Sequence, residues 1–159
     1  MHKFAVAFGV ASLLAPVLFA APPAGFVSRG IGGGGAMYSP TINPHDSDEM
    51  YVGCDMSLQF HTRDRGKTWA RIADESVSAI QVLNVNSGAF DPRNPKEFYM
   101  ATEYDGVLWT PDITAAKPEF RPVAAYRFAQ PMRIRFNPGK PSEMWVTSVG
   151  NGLNMGVCE

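Results

Sequence analysis

An excess of charge of either sign is missing from this sequence. Its 159 residues hold 14 Lys+Arg against 15 Asp+Glu, a formal net charge of -1. No basic stripe or acidic tail breaks the balance, so no nucleic-acid partner is indicated. Cysteine is scarce: Cys54 and Cys158 allow at most one disulfide, which would close a long loop. The bland alternative is the reading adopted, with Cys54 a buried strand residue and Cys158 in a loose C-terminal end. His45 and His61 have no third ligand at metal spacing, so neither a metal site nor a cofactor is expected. Helical periodicity is also lacking. The 13 prolines and 15 glycines fall between short apolar runs, which is the punctuation of strands joined by turns.

The N-terminus has the layout of a secretory signal peptide. His2 and Lys3 precede an apolar run from Phe4 to Phe19, and Ala20-Ala21-Pro22-Pro23 follow. Cleavage is expected near Ala20, with residues 1–20 removed and the mature protein secreted, whether periplasmic or extracellular. The alternative is a membrane anchor, for which the run is short and holds Pro16, so no stable membrane span is expected. A Pro/Gly-rich lead-in covers 21–35 and ends in Gly32 to Gly35. Such a run cradles phosphate only between a strand and a helix N-terminus. Here a strand is expected to follow, so the run reads as a backbone lead-in.

Three segments then line up. Ile42-Asn43-Pro44 to Val52, Phe90-Asp91-Pro92 to Met100, and Phe136-Asn137-Pro138 to Val146 share one pattern: apolar, Asn/Asp, Pro, polar turn, Glu, apolar, aromatic, apolar. Pro44, Pro92 and Pro138 are 48 and 46 residues apart, a period in the range of propellers and solenoids. Asn/Asp-Pro should end an inner strand and open a turn, because proline cannot continue a ladder. The next strand is expected over Met50 to Cys54, Phe98 to Thr102 and Met144 to Ser148. A third is expected over Leu58 to Thr62, Gly106 to Thr110 and Gly152 to Met155. A fourth is expected over Thr68 to Ile72, and in the second copy over Phe120 to Val123.

The fold class is therefore all-β, an incomplete β-propeller over 36–159 with repeats at about 36–73, 84–124 and 131–159. That is about two and a half four-stranded blades, where closed propellers carry roughly four to eight. The expectation is a fragment of a longer protein, the other reading being closure with another copy of the chain. Asp74 to Val85 reads as a connection with room for one helical turn.

Between the third and fourth strands of the first repeat stands Thr62-Arg63-Asp64-Arg65-Gly66-Lys67-Thr68-Trp69. Asp64 can cap its own turn, Gly66 can take a positive φ, and Trp69 offers a ring to bury. The pattern Ser/Thr-x-Asp-x-Gly-x-Thr-Trp resembles the Asp-box (BNR repeat) of sialidase-like β-propellers. On that resemblance Thr62, Asp64, Gly66 and Trp69 are structural turn residues. The second repeat keeps Thr110 and Asp112 and then departs from the pattern.

The first repeat also resembles a narrower group, the two-propeller xyloglucan-hydrolysing glycoside hydrolases, through Gly32 to Gly35, Pro44, Tyr51-Val52, Asp55 and Gln59-Phe60. That resemblance implies Asp55 as the catalytic general base. It departs at Met56-Ser57-Leu58 and at His61. The chemistry implied is inverting hydrolysis, in which one carboxylate activates water while a second, roughly 6.5–9.5 Å away, protonates the leaving oxygen. In the resembled enzymes the second acid lies on the other propeller, so this chain is expected to lack it. A strand-end Asp that caps a turn is the alternative for Asp55, since the same position holds Glu103 and Val149 in the other repeats.

Glu49, Glu97 and Glu143 share one repeat position and read as structural. Arg29, Arg63, Arg71, Arg133 and Arg135 mark no carboxylate-binding cluster by their spacing. Tyr38, Tyr104 and Trp109, with Trp145, are candidates to stack on sugar rings, or else inter-blade core. Two functions remain open. One is part of a glycan-active hydrolase acting on a polysaccharide or glycoprotein glycan. The other is a non-catalytic propeller, sortilin-like or of the sialidase-repeat type, that binds a protein or polysaccharide.

Overall fold

A computed structural model describes residues 23–31, 36–54, 59–72 and 85–158. The signal peptide, Gly32 to Gly35, Asp55 and the expected connection from Asp74 lie outside them. The described residues hold no helix. They form three antiparallel sheets, each a meander in which sequence neighbours pair. The first sheet contains β1 (Met37–Asn43), β2 (Asp46–Cys54), β3 (Gln59–Thr62) and β4 (Ala70–Ile72). The second contains β5 (Val85–Asp91), β6 (Asn94–Thr102), β7 (Gly106–Thr110) and β8 (Arg121–Pro122). The third contains β9 (Pro131–Asn137), β10 (Lys140–Ser148) and β11 (Gly152–Val157).

The proline turns set the frame. Pro44-His45, Pro92-Arg93 and Pro138-Gly139 are two-residue turns between the first and second strand of each sheet. The residue before each proline closes its turn from the side chain. Asn43 Oδ1 accepts the His45 N–H at 2.9 Å, Asp91 Oδ1 the Arg93 N–H at 2.8 Å, and Asn137 Oδ1 the Gly139 N–H at 2.9 Å. A carbonyl oxygen side chain two residues before an amide is the Asx-turn geometry. The second strands start directly after these turns, several residues earlier than the apolar runs suggest.

The first strands β1, β5 and β9 lie side by side at the inner edges of the sheets. Thr41 Oγ1 donates to the Gly88 carbonyl at 2.8 Å, and the Ile134 N–H donates to Ser87 Oγ at 3.0 Å. Equivalent positions of successive sheets thus meet, and the sheets stack face to face as blades about a common axis. Strand alternation gives each blade two faces. Tyr51 of blade one enters a core of Phe90, Phe98, Met100 and Leu108 from blade two. Ala89, Tyr99, Ala101 and Val107 leave the opposite face of blade two and meet Ile134, Met144 and Val146 of blade three. Both faces of the middle strands are apolar for this reason. The chain is an all-β partial β-propeller.

Two expectations about the C-terminal region change. Strand β11 runs to Val157, and Cys158 is anchored after it. Its N–H donates to the Ser142 carbonyl at 2.8 Å, as Ile113 does to Lys96 (2.9 Å) and Arg65 to Asp48 (3.0 Å) in the earlier blades. Its side chain packs on the core between blades two and three. The end is fixed because the repeat supplies a carbonyl for it. Cys54 is buried, and no disulfide joins it to Cys158.

Candidate functional site

A meander puts successive turns at alternate ends of a blade. The proline turns and the turn after the third strand share one end. The turns after the second strand, together with the starts of the inner strands, form the other.

At the first end, Asp64 organises its turn. Its Oδ1 accepts the N–H groups of Lys67 and Thr68, both at 2.9 Å, and the Thr62 hydroxyl at 2.8 Å. Its Oδ2 accepts the Thr68 hydroxyl at 2.6 Å. These donors favour the ionised form and hold the carboxyl far below the usual carboxylate range, the Thr68 hydroxyl contributing most. Thr62 Oγ1 accepts the Gly66 N–H at 2.9 Å, and Gly66 has φ +78°. A Cβ on Gly66 would stand 3.0 Å from Arg29 Cβ, while the Trp69 indole donates to the Arg29 carbonyl at 2.8 Å. Thr62, Asp64, Gly66 and Trp69 therefore pin the lead-in segment to blade one. Thr68 is drawn into the turn, which leaves β4 to begin at Ala70.

The repeated glutamates lie near this end. Glu49 is buried and faces His61 Nε2 at 2.9 Å, the Tyr51 hydroxyl at 3.3 Å, Arg63 Nε at 3.6 Å and the Asn43 amide. The His61 ring stacks on Tyr51 at 4.3 Å, and burial lowers its pKa, so it is held neutral. Burial pushes the Tyr51 hydroxyl pKa far above its ordinary value. In blade two, Glu97 takes the Trp109 indole N–H at 3.3 Å and the Asn94 amide at 2.9 Å. In blade three, Glu143 takes the Asn137 amide at 2.9 Å. One carboxylate per blade receives the amide by the turn and a donor beside it. The role is strand tethering, with the amide supplied from before the proline in blades one and three and from the start of the second strand in blade two.

Trp109 sits between blades two and three. It packs against their core and borders a cavity of about 480 Å³ that also touches Tyr126, Phe128, Arg93 and Glu97. Tyr38 and Tyr104 stand elsewhere. Tyr38 is at the start of β1 and Tyr104 in the turn after β6, so both are exposed at the second end. The three aromatics singled out for stacking are thus divided between opposite ends, two against one. Asp55 lies outside the described residues; its chain neighbours Cys54 and Gln59 end β2 and begin β3.

The second end holds further polar groups. Arg133 Nη1 on β9 reaches Ser39 Oγ on β1 at 2.6 Å, across the inner edges of the blades. In the turn after β6, Asp105 donates its N–H to Thr102 Oγ1 at 3.1 Å, and its Oδ2 is buried without a hydrogen-bond partner. Burial raises its pKa. Sequence reading missed Asp105, which has Ser57 and Asn151 as its repeat equivalents. Its position beside the positive-φ Gly106 in Asp-Gly is the local signal that marks a turn, with nothing to mark the desolvation. Among the described residues no three His, Cys, Asp or Glu side chains are grouped to hold a metal ion. No helix of the described residues is long and apolar enough to cross a membrane.

No protein-family model matches the chain, and no curated protein matches it. Among solved structures, it is similar to the GH74 xyloglucanase from Xanthomonas campestris, with a TM-score of 0.55 and 18% identity. That likeness covers 69% of this chain and 18% of the enzyme. It is also similar to an ancestral GH74 enzyme, with a TM-score of 0.52 and 13% identity, over 75% of this chain and 18% of that one. The chain spans under a fifth of the length of either. At these identities the likeness is one of fold.

Proposed function

We propose that this chain is part of an exported, glycan-active propeller of the xyloglucan-hydrolysing kind, with Asp55 as general base. The observation that carries the reading is the fold likeness to the xyloglucanase structure, which coincides with the sequence resemblance of the first repeat. Tyr38 and Tyr104 support it, because two exposed rings share the end to which Cys54 and Gln59 lead. In the mechanism implied, Asp55 takes a proton from water as that water attacks the anomeric carbon, and a second carboxylic acid protonates the departing glycosidic oxygen. That acid is assigned to a surface outside this chain, so the chain alone is expected to bind the polysaccharide without cleaving it. The Asp-box role belongs to the same reading: Thr62, Asp64, Gly66 and Trp69 hold the blade and take no part in chemistry.

The test is Asp55→Asn in the form of the protein that hydrolyses β-glucan. Hydrolysis should fall by roughly 10²-fold or more, as for loss of a positioned general base, while polysaccharide retention in an affinity gel stays unchanged. Unaltered hydrolysis would remove the catalytic role from Asp55 and favour this chain as a non-catalytic part that binds a protein or polysaccharide.

A further inference from the structure

The gap between blades one and two holds a cavity of about 670 Å³ at the first end, away from Tyr38 and Tyr104. Strands β3 and β4 with the turn between them form one wall, and the segment 113–118 of blade two forms the other. Both blades have all four of their strands in place. A volume of this size is in the range of small-molecule sites.

The charge of the cavity is one-sided. Arg63, Arg71 and Lys117 line it, and no Asp or Glu does so among the described residues. The Arg63 side chain is 61% exposed, with its Nε 3.6 Å from Glu49 and the Nη donors of the fork additional to that contact. The blade plan does not ask for these cations. At the position of Arg63 the second repeat has Pro111 and the third has Val157. At the position of Arg71, which pairs with Phe60, the second repeat has Pro122, which pairs with Leu108. His61, which also lines the cavity, is a further departure. Trp109 takes its place beside the carboxylate in blade two, so the tether needs only a ring N–H. Histidine adds a second nitrogen: with the Nε2–H given to Glu49, Nδ1 is an acceptor.

Hydroxyl groups complete the lining. Thr68 Oγ1 donates to Asp64 at 2.6 Å, and Thr114 Oγ1 donates to Asp112 at 2.5 Å. Each hydroxyl proton is thereby committed, so both oxygens meet a ligand as acceptors. Trp69 and Ile113 add apolar surface. Cations suited to an anion, acceptors suited to hydroxyl protons and a ring suited to a sugar face are gathered in one place.

We propose that this cavity binds a hexuronate unit of an acidic polysaccharide. Arg63, Arg71 and Lys117 surround its carboxylate, and Thr68 and Thr114 accept from its hydroxyls. Arginine suits a carboxylate because its planar fork offers two parallel N–H groups. The preference for an anion stands on the cavity alone; that the anion is carried on a sugar rests on the glycan reading.

Isothermal titration of the chain with a galacturonate trimer tests it, with the glucose trimer as the neutral control. The galacturonate trimer should bind at least about tenfold more tightly than the glucose trimer, as expected for charge-assisted hydrogen bonds. An Arg71→Gln/Lys117→Gln variant should lose that preference while melting like the parent, because both side chains are exposed. Its retention by neutral β-glucan in an affinity gel should not change, so the two readings fail separately. Absence of galacturonate binding, equal binding of the two trimers, or a preference that survives the double substitution would each overturn the proposal. Displacement of the trimer by an equal concentration of inorganic sulfate would overturn it too, since the site would then recognise charge without the sugar.

Discussion

Replacing Gly88 with alanine tests how closely blades one and two are packed. A Cβ built on Gly88 falls 2.4 Å from Phe98 Cζ and 3.1 Å from Phe98 Cε1. Carbon atoms in favourable contact stand roughly 3.5–4.0 Å apart, so the ring must move by about 1 Å or the strand must yield. The ring has nowhere to go. Phe98 is fully buried, with Tyr51 at 4.8 Å and Phe90 at 4.9 Å between ring centres. Gln59 Nε2 closes the other side at 3.3 Å from the new Cβ. The strand is also held, because the Gly88 carbonyl accepts the Thr41 hydroxyl. Overpacking of a tight core costs about 1–3 kcal/mol, and this site belongs near the upper end. For a chain of this length that lowers Tm by roughly 4–10 °C. Thermal unfolding followed by tryptophan fluorescence reads it. A second variant isolates the cause: Phe98→Leu empties the space that the alanine methyl needs. The double variant should be less damaged than the two single costs predict, by about 1 kcal/mol or more. Melting of Gly88→Ala within about 0.5 kcal/mol of the parent, or strict additivity with Phe98→Leu, would refute the packing argument.

Two further outcomes concern titration. Asp64 is depressed far below its ordinary value near 3.8, so its contribution is fully present above that value and lost as pH falls through its folded pKa. Asp64→Asn should therefore be less stable than the parent at pH 7, with the gap narrowing below about pH 4 in urea titrations; parallel profiles would contradict this. Asp105 has the opposite sign. Its pKa is raised by burial, so its contribution is present below the ordinary value and lost as pH rises through the folded one. Asp105→Asn should be more stable than the parent at neutral pH and equal to it in acid, and a loss of stability at neutral pH would show that the carboxylate is paired.

The legible parts of the molecule were those set by local chemistry. Asn-Pro and Asp-Pro turns declare themselves because proline lacks an N–H and the preceding side chain reaches two residues on. Their period of 48 and 46 residues yields the blade count, and the uninterrupted apolar run Phe98 to Ala101 marks β6 as a strand packed on both faces. The spacing of Thr62, Asp64, Gly66 and Trp69 belongs in the same class, since every hydrogen bond that Asp64 makes falls within four residues.

What lay beyond the sequence depended on contacts between blades. Cys158 looked loose because nothing near it in sequence holds it, yet the Ser142 carbonyl and the core between blades two and three do. Trp109 and Tyr104 look alike as exposed candidates until stacking half-buries one against the core between blades two and three and leaves the other exposed at a turn. The contact of Arg133 with Ser39 joins residues 94 apart in the chain. Sequence by itself determined the repeat, its turns and the alternation of its strands, because those rest on residues within hydrogen-bonding reach along the chain. Only the tertiary structure decided which faces are covered, which end gathers Tyr38 with Tyr104, and which carboxyl is desolvated, because each of these depends on what the neighbouring blade removes from water.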